Sequence, residues 1–218
     1  MEQLKELYIV GVGGFGREVA WLVERINAVK PVWDLKGFID DDKSIHGTWK
    51  GGYPVVGDSE YLQKLPGEVW AVCAIGASKT RKKVIEKLSQ SPHIKFATVI
   101  DPSVICSGRV DIGCGTIICA GTIITVDISI GNHVIINLDC TIGHDDRICD
   151  YVTLYPSVNV SGNVNLGECV EIGTGTQIIQ GKNVGKESIV GAGAVVVRDI
   201  PEKCTAVGCP AKPIKFAE

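Results

Sequence analysis

Four histidines occur in the 218 residues, and one of them has neighbours suited to moving a proton. His144 follows Gly143 and precedes Asp145 and Asp146, which sets an imidazole in a turn beside two carboxylates. A nearby carboxylate makes an imidazole more basic and holds one tautomer, the two properties a general base needs near neutral pH. A solvated histidine in a charged turn has the same local sequence, so the turn alone does not decide. His46 and His93 lie in polar loops and read as solvated, and His133 reads as an ordinary strand residue between Asn132 and Val134. Structural zinc needs three or four convergent ligands. His133 and His144, eleven residues apart, do not share a phase of the repeat described below, so no metal is expected. No G-x-S-x-G elbow occurs, and no cysteine adjoins a histidine. The nine cysteines contain no CxxC pair and read as reduced thiols used as small apolar groups, with Cys106 and Cys140 packed within or between turns of the fold.

A second chemical signal lies near the N-terminus. Residues 7–22, LYIVGVGGFGREVAWL, read as an apolar strand, then Gly11, Gly13 and Gly16 in G-x-G-x-x-G spacing, then a helix. Backbone N–H groups of such a turn, with the helix N-terminus, can face a phosphate. A dinucleotide is disfavoured, because only about 95 residues precede the repeats and Asp40 lies 29 residues after Gly11, beyond the ~20 of the dinucleotide motif. A nucleotide or nucleotide-linked sugar and a purely structural turn both stand.

Both signals must be positioned by something, and the larger element declares itself by its period. From Ile112 to Val196 an Ile, Leu or Val falls at every sixth position, fifteen in register. A hexapeptide period marks a parallel β-helix, here of about five coils. Thr116, Val134, Val152, Val158, Val164 and Val170 add a second inward column. Gly113, Gly131, Gly143, Gly167, Gly173, Gly185 and Gly191 follow inward residues, where corners call for unusual backbone angles. Outward Ile117, Ile123, Ile135, Val195 and Val197 read as surfaces for other copies of the chain, hence a homo-oligomer. Ahead of the repeats, LKGFID, VWAVCAIG and a strand from Phe96 to Ile100 complete a small α/β unit, with a helix near Lys79 to Leu88. The fold class is α/β plus all-β: a small Rossmann-like domain over residues 1–100, then a β-helix with a C-terminal tail over 101–218.

Composition narrows the partners. A net charge of -3 offers no basic stripe, which excludes nucleic acid as a starting point. No apolar run reaches the length of a membrane span, and the start MEQLKELYIVGVGG does not read as a signal peptide, so a cytoplasmic location is expected.

Taken together, GVGGFGREV at 11–19, GFIDDD at 37–42, the aligned hexapeptides, NLDCTIGHDD at 137–146 and VVRDIPEKCTAVGCPAKPIK at the end resemble the sialic acid O-acetyltransferase family of hexapeptide-repeat sugar acyltransferases, which includes the UDP-amino-sugar N-acetyltransferases. The resemblance covers nearly the whole chain. It implies a left-handed β-helix, a homotrimer, acetyl-CoA as co-substrate in the cleft between neighbouring prisms, and a sugar nucleotide on the N-terminal domain. Carried over by position, it makes His144 the general base, Asp145 its orienting acid and Asn137 a residue near the reacting centre. Gly162, Thr174, Ala192 and Lys212 are assigned to the coenzyme, and Gly13, Gly14, Phe15, Asp40, Asp41, Gly76 and Arg81 to the sugar nucleotide. Many amino-sugar members carry histidine where this chain has Phe15, so nitrogen and oxygen acceptors both stand. A serine-type amino-acid O-acetyltransferase and a non-catalytic scaffold for polysaccharide synthesis are the alternatives.

Overall fold

The computed structural model describes residues 3–217. The N-terminal unit is a six-stranded sheet in the order β3-β4-β2-β1-β5-β6, with β1 Lys5–Val10, β2 Trp33–Ile39, β3 Trp49–Lys50, β4 Tyr53–Gly57, β5 Val69–Cys73 and β6 Ile94–Phe96. All neighbours are parallel except β3 and β4. Helices α1 (Gly14–Val29), α2 (Ser59–Lys64) and α3 (Ser78–Leu88) cover it. β5 and β1 from Leu7 onward are apolar because both faces are covered, whereas Lys5 and Glu6 at the start of β1 are exposed. The chain passes from one side of β1 to the other between β2 and β5, and the carboxyl ends of these strands frame a crevice, the usual ligand position in such sheets.

Residues 99–207 wind into a triangular prism, the left-handed parallel β-helix of the hexapeptide-repeat fold. Its first face stacks Val99–Ile100, Ile117–Ile118, Ile135–Ile136, Thr153–Leu154, Glu171–Ile172, Ile189–Val190 and Cys204–Val207. The second runs from Ile105–Cys106 to Val195–Val196, and the third from Val110–Ile112 to Asn183–Val184. Partners stand 18 residues apart, so each coil is three hexapeptides, and the inward side chains form one continuous apolar core. An antiparallel strand, Lys212–Phe216, pairs with Cys204–Val207 at the end of the prism. The prism has more coils than the five expected, because Val99–Ile100 pairs with Ile117–Ile118 and is its first strand rather than the end of a sheet strand beginning at Phe96.

Three further expectations change. Ile117 and Ile135 do not wait for another copy: they are buried against Leu7, Val19 and Ala97, so the first face is covered by the N-terminal domain of the same chain. Ile123, on the second face, is exposed. The glycines at 113, 131, 143, 167, 173 and 185 serve close approach rather than unusual angles, since a β-carbon on each would meet the backbone or side chain of the next coil at 2.3 to 2.6 Å. The left-handed angles fall two residues later, at Gly115, His133, Asp145, Cys169, Gly175 and Glu187. Cys106 is exposed on the first coil, whereas Cys140 is buried as expected.

Candidate active site

His144 sits on the ridge between the second and third faces. Thr141–Ile142 ends one face, Gly143 admits the coil above, and Asp145 at φ +62° turns the corner. Asp tolerates this left-handed conformation better than most residues. The His144 Nδ1 stands 2.8 Å from Asp145 Oδ2. Assigning the Nδ1–H tautomer from that contact leaves the Nε2 lone pair free. Both side chains are more than half exposed, so the site is open to a substrate.

One coil above, Gly162 lies against the ring. A β-carbon at 162 would fall 2.5 Å from both Cε1 and Nε2 of His144, so only glycine leaves the imidazole in place. The Asn163 N–H donates to His144 O at 2.7 Å and the Gly181 N–H to Gly162 O at 3.0 Å, which fixes the two corners. Among the described residues no protein acceptor takes the Gly162 N–H. The ridge thus offers a base and a free backbone donor side by side, the minimum for acyl transfer.

Asp146 departs from the expectation of a second carboxylate beside the ring. It occupies the inward column with Thr116 and Val134, is 2% exposed, and accepts the Val164 N–H on Oδ1 at 2.8 Å. Burial pushes its carboxyl up to about 7, against the opposing pull of the Val164 N–H and of His144.

Asn137, Thr174 and Ala192 lie on a different ridge, between the first and second faces. Thr174 and Ala192 are exposed one coil apart, with the Gly193 N–H donating to Thr174 O at 2.8 Å. Asn137 is nearly buried, its Oδ1 accepting from the Leu138 N–H at 2.7 Å. Within one chain, therefore, these three are not brought to His144. Lys212 pairs with Val207 on the exposed C-terminal strand at the end of the same ridge, where Val207 lies against Gly191.

In the N-terminal domain Gly11 adopts φ +100° and presses against Ala74, while a β-carbon on Gly16 would meet Gly11 O at 2.0 Å. Those two glycines make the turn. Gly13 and Gly14, at the start of α1, are open, and Gly13 caps the helix with no side-chain bond. Asp40 Oδ2 accepts the Val12 N–H at 3.2 Å and so shapes the same loop. Asp41 Oδ1 holds Ser59 by its N–H and hydroxyl, at 3.0 and 2.9 Å, and these bonds lower its pKa. A cavity of about 210 Å³ at the strand ends is lined by Gly11, Asp40, Asp41, Ser59, Ile75 and Thr80 among others; Gly13, Gly14 and Phe15 lie outside its lining.

Arg81 is corrected outright. It is 1% exposed, and its guanidinium donates to Ile75 O, Gly76 O, His133 O, Tyr151 O, Val152 O and Thr153 Oγ1 at 2.6 to 3.2 Å. Gly76 O also accepts from Thr153 Oγ1 at 2.7 Å. Both residues join the N-terminal domain to the prism, and the Arg81 guanidinium has no donor left for a ligand. Sequence spacing carries no sign of this, because the partners are backbone carbonyls up to 71 residues away and a hydroxyl at 72. His133 is also corrected: it is a corner residue at φ +54°, stacked on Tyr151 and edge-on to Phe96, with burial holding its pKa down to about 4.

Comparison with known proteins agrees with this geometry. Residues 6–88 match the PglD N-terminal domain family. GDP-perosamine N-acetyltransferase of Escherichia coli O157:H7 is 29% identical over 214 residues, 95% of each chain. A perosamine N-acetyltransferase from Caulobacter crescentus, solved as a histidine-to-asparagine variant with CoA and GDP-perosamine, superposes with a TM-score of 0.87 at 32% identity over 98% of both chains. The acetyltransferase domain of PglB from Neisseria gonorrhoeae, solved with acetyl coenzyme A, gives 0.86 at 30% identity over 97% of this chain and 100% of that one. The chain spans only 44% and 26% of the lengths of two yeast acetyltransferases it also matches, from Schizosaccharomyces pombe and Saccharomyces cerevisiae. Similarity along its full length to the sugar-modifying proteins, and to their solved structures, places the chain in the family of acetyl-CoA-dependent hexapeptide-repeat sugar acetyltransferases.

Proposed function

We propose that this enzyme acetylates the amine of a nucleotide-linked amino sugar, with His144 as general base. The observation that carries the proposal is the His144–Asp145 pair packed against Gly162, whose N–H has no protein acceptor among the described residues. As the amine attacks the thioester carbonyl, Nε2 of His144 removes its proton, and the oxyanion forms beside the Gly162 N–H. A donor fixed in this way contributes roughly 3 kcal/mol to the transition state. Collapse breaks the carbon–sulfur bond, and the imidazolium returns its proton to the departing thiolate. No acyl-enzyme forms. The Caulobacter relative was solved with CoA and GDP-perosamine and with one histidine replaced, which supports both the substrate class and the role of His144.

The remaining assignments follow from placement. Gly11, Asp40 and Asp41 line the strand-end crevice, which we assign to the nucleotide, and the open Gly13–Gly14 turn follows the loop that Asp40 shapes. Asn137, Thr174, Ala192 and Lys212 share a ridge that cannot meet His144 in one chain but meets it when prisms pack side by side, as in a homotrimer with the coenzyme between them. Both substrates place the reaction in the cytoplasm. A hydroxyl acceptor is the second reading, favoured by Phe15, which has no polar group to hold an amine.

A thermal-shift screen of GDP-, UDP- and CMP-linked sugars, followed by thiol release from acetyl-CoA and mass spectrometry of the product, tests this reading. Stabilisation by a nucleotide amino sugar that then gains an N-acetyl group is the expected result. Transfer to serine, or no transfer to any nucleotide sugar, would contradict it.

A further inference from the structure

Side chains at the fifth place of each hexapeptide point into the prism, and three of them bracket the coil above. Thr116 Oγ1 accepts the Val134 N–H at 3.2 Å and donates to Gly131 O at 3.0 Å. Ser188 Oγ accepts the Cys204 N–H at 3.1 Å and donates to Pro201 O at 2.6 Å. A neutral hydroxyl therefore satisfies this position in full. Asp146 accepts the Val164 N–H in the same manner, yet its Oδ2 is buried with no partner. An unpartnered buried oxygen is destabilising, and bracketing alone does not require one. Asp146 differs from the other two in its place, two residues beyond His144 and directly below the coil that carries Gly162.

From this juxtaposition, and resting on the general-base reading of His144, we propose that Asp146 is a positioning residue for acetyl transfer: its carboxylate ties the His144 corner to the Gly162 coil and stabilises the imidazolium that forms as the acceptor loses its proton. Asp145 orients the ring, but at 61% exposure its charge is screened by water. A charge inside the prism acts through a medium of lower dielectric and is felt more strongly. The carboxyl of Asp146, raised to about 7, changes charge in the range where the enzyme would work. The groups facing it are His144, Asp145 and Arg147 on its own coil and Arg109, Asp111 and Asp127 beside the adjoining groove; the coil above brings Gly162, Asn163 and Val164, none of them ionisable.

Asp146→Thr provides the test, because threonine keeps the bracket as Thr116 shows and removes the charge. NMR of ring-labelled histidine in the full chain, followed against pH, needs no acceptor. A change in the His144 ring signals that follows ionisation of the neighbouring Asp146 carboxyl near pH 7 should be present in the parent protein and absent from the variant. With acetyl-CoA and GDP-perosamine as probes, kcat at pH 7 should fall about tenfold, KM for acetyl-CoA should stay within about twofold, and the acid limb of kcat should become less steep. Identical titration curves for parent and variant would overturn the proposal. If the threonine variant does not fold, Asp146→Asn is read in the same way. His144→Ala separates the two claims: an active His144→Ala removes the general base itself, whereas an inactive one with unchanged Asp146→Thr curves removes only the role of Asp146.

Discussion

The imidazole of His144 and the backbone of Gly162 are in contact across two coils, with no room for a methyl group between them. Gly162→Ala must therefore displace the ring or the strand. We expect kcat to fall at least ~100-fold, since a misplaced base and a blocked oxyanion donor are lost together. The Tm should change little, because the His144 side chain is half exposed and can swing out into solvent. Steady-state kinetics and a melting curve on the same preparation check both halves.

Arg81 bridges the domains rather than the ligand. Arg81→Ala leaves the buried carbonyls at 75, 133 and 151 without their donor, whereas Gly76 O keeps the Thr153 hydroxyl and Val152 O the Ile135 N–H; the loss costs about 3–5 kcal/mol. That corresponds to a Tm lower by roughly 8–15 °C in a chain of this size. Limited proteolysis should then cut between residues 96 and 99, where the sheet gives way to the prism. Unchanged Tm with weakened nucleotide-sugar binding would instead restore the ligand role.

Asp146 gives the fold a pH signature. Its folded-state pKa of about 7 lies above the ordinary 3.8, so as pH rises the unfolded chain ionises first and native stability is lost between about pH 4 and pH 7. Asp146→Thr lacks this loss. Relative to the parent, its Tm should rise by about 8–16 °C between pH 4 and pH 8, which is roughly 4 kcal/mol. Parallel Tm curves would contradict the burial argument.

His133 acts in the opposite direction. Its folded-state pKa of about 4 lies below the ordinary 6.5, so as pH falls the unfolded chain takes up the proton first and stability is lost between about pH 6.5 and pH 4. Asparagine tolerates the left-handed corner angle but gives up the packing on Tyr151 and Phe96. His133→Asn should melt lower than the parent at pH 8, with a difference that narrows toward pH 4 by differential scanning fluorimetry.

The period of six made the prism, the phase of His144 and the strand-turn-helix at Gly11 to Gly16 legible, since each depends on local spacing. The same phase puts Asp146 inside with Thr116 and Val134, but its charge drew the eye to the surface beside His144. What spacing could not carry was contact between distant segments. Ile117 and Ile135 look like oligomer surface until α1 and β1 are laid on them, and Arg81 looks like a ligand residue until six carbonyl and hydroxyl oxygens from both domains surround it. The corner glycines are hidden for a related reason: the need for them arises from the coil above, 18 residues on, rather than from their own backbone angle.

The central claim is that His144 takes the proton. Single-turnover acetyl transfer by His144→Ala, alongside acetyl-CoA binding by calorimetry, tests it most directly. A chemical step at least ~100-fold slower with coenzyme affinity nearly intact is the predicted result. A variant that transfers acetyl at close to the parent rate would contradict it.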